Sequence, residues 1–105
     1  MKRYRVQITE KAFIDMEEIY NYIADDLLEP EYAMNQYNRI ADSIEGLALF
    51  PERIKIMQSD KEAAMELRRL LVDNYSVFYV IQNDNVIVTR VLYSASDIEE
   101  CLADE

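Results

Sequence analysis

An α+β fold, with helices segregated from a mainly antiparallel sheet, is what this sequence predicts, and three patterns predict it. Apolar residues recur at helical spacing through the first half of the chain, which Pro30 divides into two segments. Three runs rich in β-branched and aromatic residues fill the second half, separated by Asn and Asp clusters that suit tight turns. A period-two alternation of polar and apolar side chains opens the chain.

Residues 3 to 8 place Tyr4, Val6 and Ile8 on one side, the mark of a strand with one covered face. Thr9 ends that strand and can cap the helix after it. From Lys11 to about Leu28, the residues Ala12, Met16, Ile19, Tyr20, Ile23 and Leu27 form an apolar stripe, with Asp15, Glu17, Glu18 and Asp25 expected mostly off it. Pro30 fits the first turn of a second helix, where its missing N–H breaks no helical hydrogen bond. That helix runs to just before Pro51 and repeats the stripe with Ala33, Tyr37, Ile40, Ala41, Ile44 and Leu47. So short a connection predicts an antiparallel helix hairpin, its two stripes buried against each other and against a sheet. Gly46 falls inside the second helix, where it costs about 1 kcal/mol relative to Ala, and close helix packing is the expected reason for it.

Residues 51 to 65 carry mixed charge and weak periodicity, with Ser59 and Glu62 spaced as a capping box for a short helical turn. Strands are expected at Glu66 to Asp73, Tyr75 to Gln82 and Val86 to Tyr93, the middle one containing the longest apolar run, Val77 to Ile81. Asn74 and the cluster Gln82 to Asn85 supply the turns, so the three strands should form an antiparallel meander. Ser96 and Glu99 are spaced to cap a terminal helix containing Ile98 and Leu102, in which Cys101 is expected to be a packing residue.

The 105 residues contain one Gly and two Pro, so no stretch has linker composition and one domain spanning 1–105 is expected. The absence of His and the single Cys exclude the usual Cys/His metal sites, histidine acid-base chemistry and an internal disulfide, so neither metal nor cofactor is expected. No apolar run follows the basic opening residues and none is long enough to cross a bilayer, which points to the cytoplasm and away from membranes. Against 11 basic residues stand 21 acidic ones, a net charge of -10 that opposes general attraction to nucleic acid. The last nine residues hold five acids, while Lys2, Arg3 and Arg5 open the chain.

The strand arginines are the best candidates for chemistry. Arg68 and Arg69 are adjacent and must point to opposite faces of a sheet, and Arg90 interrupts a β-branched run where a charge is unexpected. Their bland explanation is a surface strand face with salt bridges to Glu66 or Asp73. Tyr75, Tyr79 and Tyr93 either rim the core or line a concave surface with their hydroxyls and ring faces. Glu17, Glu18, Asp25 and Asp26 read as solvated helix faces.

An ordered series spans nearly the whole chain: Ile8-Thr9, Ala12, Asp15, Glu18-Ile19 and Tyr22-Ile23-Ala24; Pro30 with Ala33; Ile40, Ile44, Leu47 and Phe50-Pro51; Arg68 and Leu70; Asn74-Tyr75 and Val77-Phe78-Tyr79; Arg90 to Tyr93 with Asp97. This series resembles the RelE/ParE family of toxins from type II toxin-antitoxin (plasmid stabilisation) systems. The resemblance implies the element order derived above. It implies a growth-inhibiting toxin neutralised by a cognate antitoxin in a hetero-oligomer, and a target that is either DNA gyrase or the ribosome with its mRNA.

The two branches differ in chemistry. In a metal-independent, ribosome-dependent endoribonuclease the RNA 2′-hydroxyl attacks the adjacent phosphate, and the protein supplies acid, base and cations. The resemblance places Arg68, Arg90 and Tyr93 in those catalytic roles, and Arg69, Tyr75 and Tyr79 become target-binding candidates. Many relatives carry a Gly-Arg-Arg-Asp-like segment after the last strand, whereas this chain has Ser94-Ala95-Ser96-Asp97. That departure, with the missing His and the acidic balance, favours gyrase-directed action over the ribonuclease, and leaves a non-toxic antitoxin-binding relative as a third expectation. The meander is expected to display its arginines and tyrosines together on a free face.

Overall fold

The computed structural model describes residues 2–58, 65–96 and 102. The elements are strand β1 (Arg5–Ile8), helix α1 (Glu10–Asn21) continued by a π-helical turn (Tyr22–Asp26), helix α2 (Pro30–Glu45), 3₁₀ turns at Gly46–Ala48 and Pro51–Arg53, and strands β2 (Arg68–Val72), β3 (Tyr75–Gln82) and β4 (Asn85–Tyr93). The sheet order is β1-β4-β3-β2, with β2, β3 and β4 in the expected antiparallel meander. The opening strand joins parallel to β4, so the sheet is mixed. The helix hairpin between β1 and β2 is the crossover that makes this parallel pairing possible.

The joint between β1 and α1 is held by three bonds, two of which tie it to β4. Thr9 caps α1 by accepting from the Ala12 N–H at 3.2 Å, its own N–H donates to Val88 O at 3.0 Å, and its hydroxyl donates to Thr89 O at 3.2 Å. Opposite this joint β4 carries a bulge: Phe78 pairs with Arg90 and Tyr79 with Val88, so Thr89 falls outside the β3 register and its hydroxyl donates to Phe78 O at 3.3 Å. One face of the sheet packs on the helices through Val77, Tyr79, Val86, Val88 and Val91 against Ala12, Met16, Ile40, Ile44 and Leu47. On the other face a smaller cluster joins Leu67, Phe78 and Leu92 to Leu102.

Helix α1 gives way at Tyr22 to the π turn, where Leu27 N–H donates to Tyr22 O across five residues, and the hairpin then turns through Leu28 at φ 57°. Glu29 N–H reaches back to Ile23 O at 3.0 Å, one residue wider than the usual closure of a left-handed helix cap, a cap that usually uses Gly. This change of pitch rotates Leu27 off the stripe, and it is exposed rather than buried. Asp15 departs in the opposite sense, being buried on the stripe. Gly46 ends α2 with φ -62° and ψ -18°, and a Cβ there would meet nothing within 4 Å, so close packing does not explain it. The Ser59–Glu62 box, Glu99, Ile98 and Cys101 lie outside the described residues.

Candidate functional site

The helix hairpin does not lie flush on the sheet at the Tyr93 end. Between them runs a groove of about 660 Å³. Asp15, Glu18, Ile19 and Tyr22 of α1 and its π turn form one wall, Leu27 and Tyr32 one end, and Asn74, Tyr75 and the stretch Arg90 to Tyr93 the floor. Leu27 follows directly on the π turn.

At the base sits the Asp15–Arg90 ion pair, with Asp15 6% and Arg90 9% exposed. The guanidinium donates twice to the carboxylate and Val91 N–H donates a third bond to it, so the acid gathers the bulged segment of β4 onto α1. A buried charge needs such partners to offset lost hydration. Above the pair the groove is phenolic. Tyr75 and Tyr93 face each other across β3 and β4 with ring centroids 5.8 Å apart and planes at 60°. Burial pushes the Tyr75 phenol above its ordinary value, and the neighbouring Tyr32, Tyr93 and Tyr22 push it in the same direction. Tyr22, Tyr32 and Tyr93 are 54%, 56% and 49% exposed, so the rim offers ring faces to a partner.

Of the sequence-predicted residues, Arg90, Tyr93 and Tyr75 therefore meet in one place. Arg68 does not join them. It pairs with Tyr79 in register and donates to the carbonyls of Glu52 and Ile54, fastening the segment after α2 to the outer edge of the sheet. Tyr79 is fully buried, its hydroxyl donating to Pro51 O at 2.7 Å. Arg69 lies over the Phe78 ring and donates to Ser76 Oγ at 2.8 Å, which in turn bonds Ser94 Oγ at 2.8 Å. The expected common display of arginines and tyrosines on a free face is thus replaced by three separate settings. Among the described residues Arg68 and Arg69 form no ion pair with Glu66 or Asp73: Asp73 binds Arg39 and Gln36 of α2, which hold the β2–β3 turn and keep its carboxyl below the usual range.

The sequence predicts Glu18 on a solvated face, Leu27 on the buried stripe and Asn74 in a turn, and does not single out Tyr32. Asp15 carried a signal: it stands three residues after Ala12 and four before Ile19, inside the apolar stripe, where an acid requires a partner. Among the described residues no cluster of three or more Asp, Glu, Cys or His could hold a metal, and no helix is long and apolar enough to cross a membrane.

Over residues 6–98 the chain matches the family described as ParE toxin of type II toxin-antitoxin system, parDE. Among solved structures it is similar to the chromosomal ParDE TA system from P. aeruginosa, at TM-score 0.73 and 16% identity, covering 89% of this chain and 98% of that one. The toxin-antitoxin complex RelBE2 from Mycobacterium tuberculosis aligns at TM-score 0.59 and 17% identity over 87% and 98%. The archaeal RelE-RelB complex from Pyrococcus horikoshii OT3 aligns at 0.58 and 16% over 90% and 98%. No curated protein matches in sequence.

Proposed function

This chain belongs to the ParE toxin family of type II toxin-antitoxin systems, and from that premise we propose that it arrests growth through protein contacts with an essential target, DNA gyrase being favoured, until a cognate antitoxin covers it. The family match carries the toxin reading. The use made of the arginines supports the choice of target. RNA cleavage by the 2′-hydroxyl route needs cations aimed at the scissile phosphate. Here the Arg90 guanidinium is spent on Asp15 and that of Arg68 on two main-chain carbonyls. What the groove offers outward is phenol rings and Glu18, a surface suited to protein. In this reading Tyr75 and Tyr93 touch the partner, while Arg69 and Tyr79 act from behind, holding the strands that present them.

Induction of the chain without its antitoxin should halt growth with filamentation and DNA damage, and the purified chain should inhibit supercoiling by gyrase. Normal growth on induction would overturn the proposal.

A second reading, a ribosome-dependent endoribonuclease using Arg68, Arg90 and Tyr93, draws support from Arg90 and Tyr93 lining one groove. It predicts cuts in ribosome-primed mRNA, and intact transcripts would remove it.

A further inference from the structure

The most one-sided charge in the described residues is on the helix hairpin. Between Ala12 and Asn38 the sequence has seven acidic residues and neither Lys nor Arg. This stretch supplies the wall and one end of the tyrosine groove, with Asp15 and Glu18 as its acidic lining residues. Asp15 is neutralised by Arg90, but Glu18 lines the groove and enters no ion pair among the described residues. Asp25, Asp26, Glu29 and Glu31 are exposed close by in sequence to Tyr22, Leu27 and Tyr32. The last turn of α1 and the π turn that continues it carry no basic side chain, so the carbonyl end of this helix adds to the same negative field.

We infer that this groove receives a cationic segment of a protein partner, an Arg or Lys flanked by aliphatic residues. The charged head lies against Glu18 and the faces of Tyr32, Tyr75 and Tyr93, and the aliphatic neighbours cover Ile19 and Leu27. A planar guanidinium suits both surfaces, since it stacks on ring faces and pairs with a carboxylate at its edge. An acidic segment would meet repulsion on the wall and find no basic side chain between Ala12 and Asn38 to answer it. The inference rests on the proposed function for its source, the neutralising antitoxin.

The test is a titration of the whole chain with a short acetylated peptide built of Leu, Ala and Arg, against the same peptide with citrulline or Glu in place of Arg. The Arg form should bind about tenfold or more tighter than the citrulline form, with salt weakening it, and the Glu form should be weakest. Glu18→Lys and Tyr32→Ala should abolish the preference. Asp42→Lys makes the same change of charge at an exposed position of α2 that does not line the groove, and should keep it. Equal binding of Arg and citrulline forms, no binding of either, or equal damage from Asp42→Lys and Glu18→Lys would overturn the inference. Self-association of the chain that disappears in Glu18→Lys would also overturn it, by assigning the groove to a second copy. Growth arrest on induction is read separately, so a chain that arrests growth and prefers no cation loses this inference and keeps the proposed function.

Discussion

Asp15 and Arg90, 75 residues apart in sequence, meet as a two-pronged ion pair with Nε 2.7 Å from Oδ2 and Nη2 2.9 Å from Oδ1. The pair ties the middle of α1 to the bulge in β4, and so sets the width of the groove above it. Asp15→Ala leaves a buried guanidinium and the Val91 N–H short of an acceptor, which should cost about 3–5 kcal/mol in urea unfolding. Asp15→Leu combined with Arg90→Met removes both charges and should recover most of that loss. A double variant as unstable as Asp15→Ala would show that the pair is not what the single change removes.

The chain places its backbone freedom where it is not used. Its one Gly, Gly46, is right-handed with open space where a side chain would stand, whereas exposed Leu28 is held at φ 57°. A left-handed non-Gly residue costs about 1–2 kcal/mol, and Gly in a compatible helical position adds unfolded-state entropy. Gly46→Ala should therefore raise stability by about 0.4–1 kcal/mol, and Leu28→Gly by up to about 1 kcal/mol after its own entropic penalty. A fall in the denaturation midpoint for Gly46→Ala would mean that α2 ends differently.

Tyr79 donates to Pro51 O from full burial. Tyr79→Phe keeps the ring and strands the carbonyl, which should cost about 1–2 kcal/mol. Burial also pushes the Tyr79 phenol up, as it does that of Tyr75. The folded protein then holds the proton more tightly than the unfolded chain does. The stability this contributes is complete below the unfolded value of about 10 and is lost as pH rises through the folded value. Unfolding free energy should fall at alkaline pH, and less steeply in Tyr79→Phe. Superimposable pH profiles for the two proteins would refute a role for this phenol.

Local patterns in the sequence were enough for the hairpin and the meander, because both are built from neighbours in sequence. Helical stripes, Pro30 at a helix start and turn residues at 73–74 and 83–84 each act over a few positions. The parallel pairing of β1 with β4 was not legible, since alternation identifies a strand and its covered face without naming its partner. The site was half legible. Arg90 betrayed itself as a charge in a β-branched run, and Tyr75 and Tyr93 as ring-bearing strand positions. Tyr32 and Leu27 line the groove on either side of a left-handed Leu28 that closes the π turn, a change of pitch that periodicity at 3.6 residues cannot register.

Arg68 separates the two readings of function. Its hydrogen bonds to Glu52 O and Ile54 O, with the Met57 N–H bond to Leu67 O at 2.8 Å, fasten the stretch from residue 51 to 57 along the edge of β2. Covering that edge satisfies backbone groups that would otherwise pair with another chain. Arg68→Met keeps the aliphatic stem and loses both bonds, so the unfolding free energy should fall by about 1–2 kcal/mol. If Arg68 serves only the fold, supercoiling inhibition and growth arrest by the remaining folded protein should stay at the level of the unsubstituted chain. A loss of ribosome-primed mRNA cleavage far beyond the fraction unfolded would instead put its guanidinium on a phosphate, and would transfer the preference to the ribonuclease.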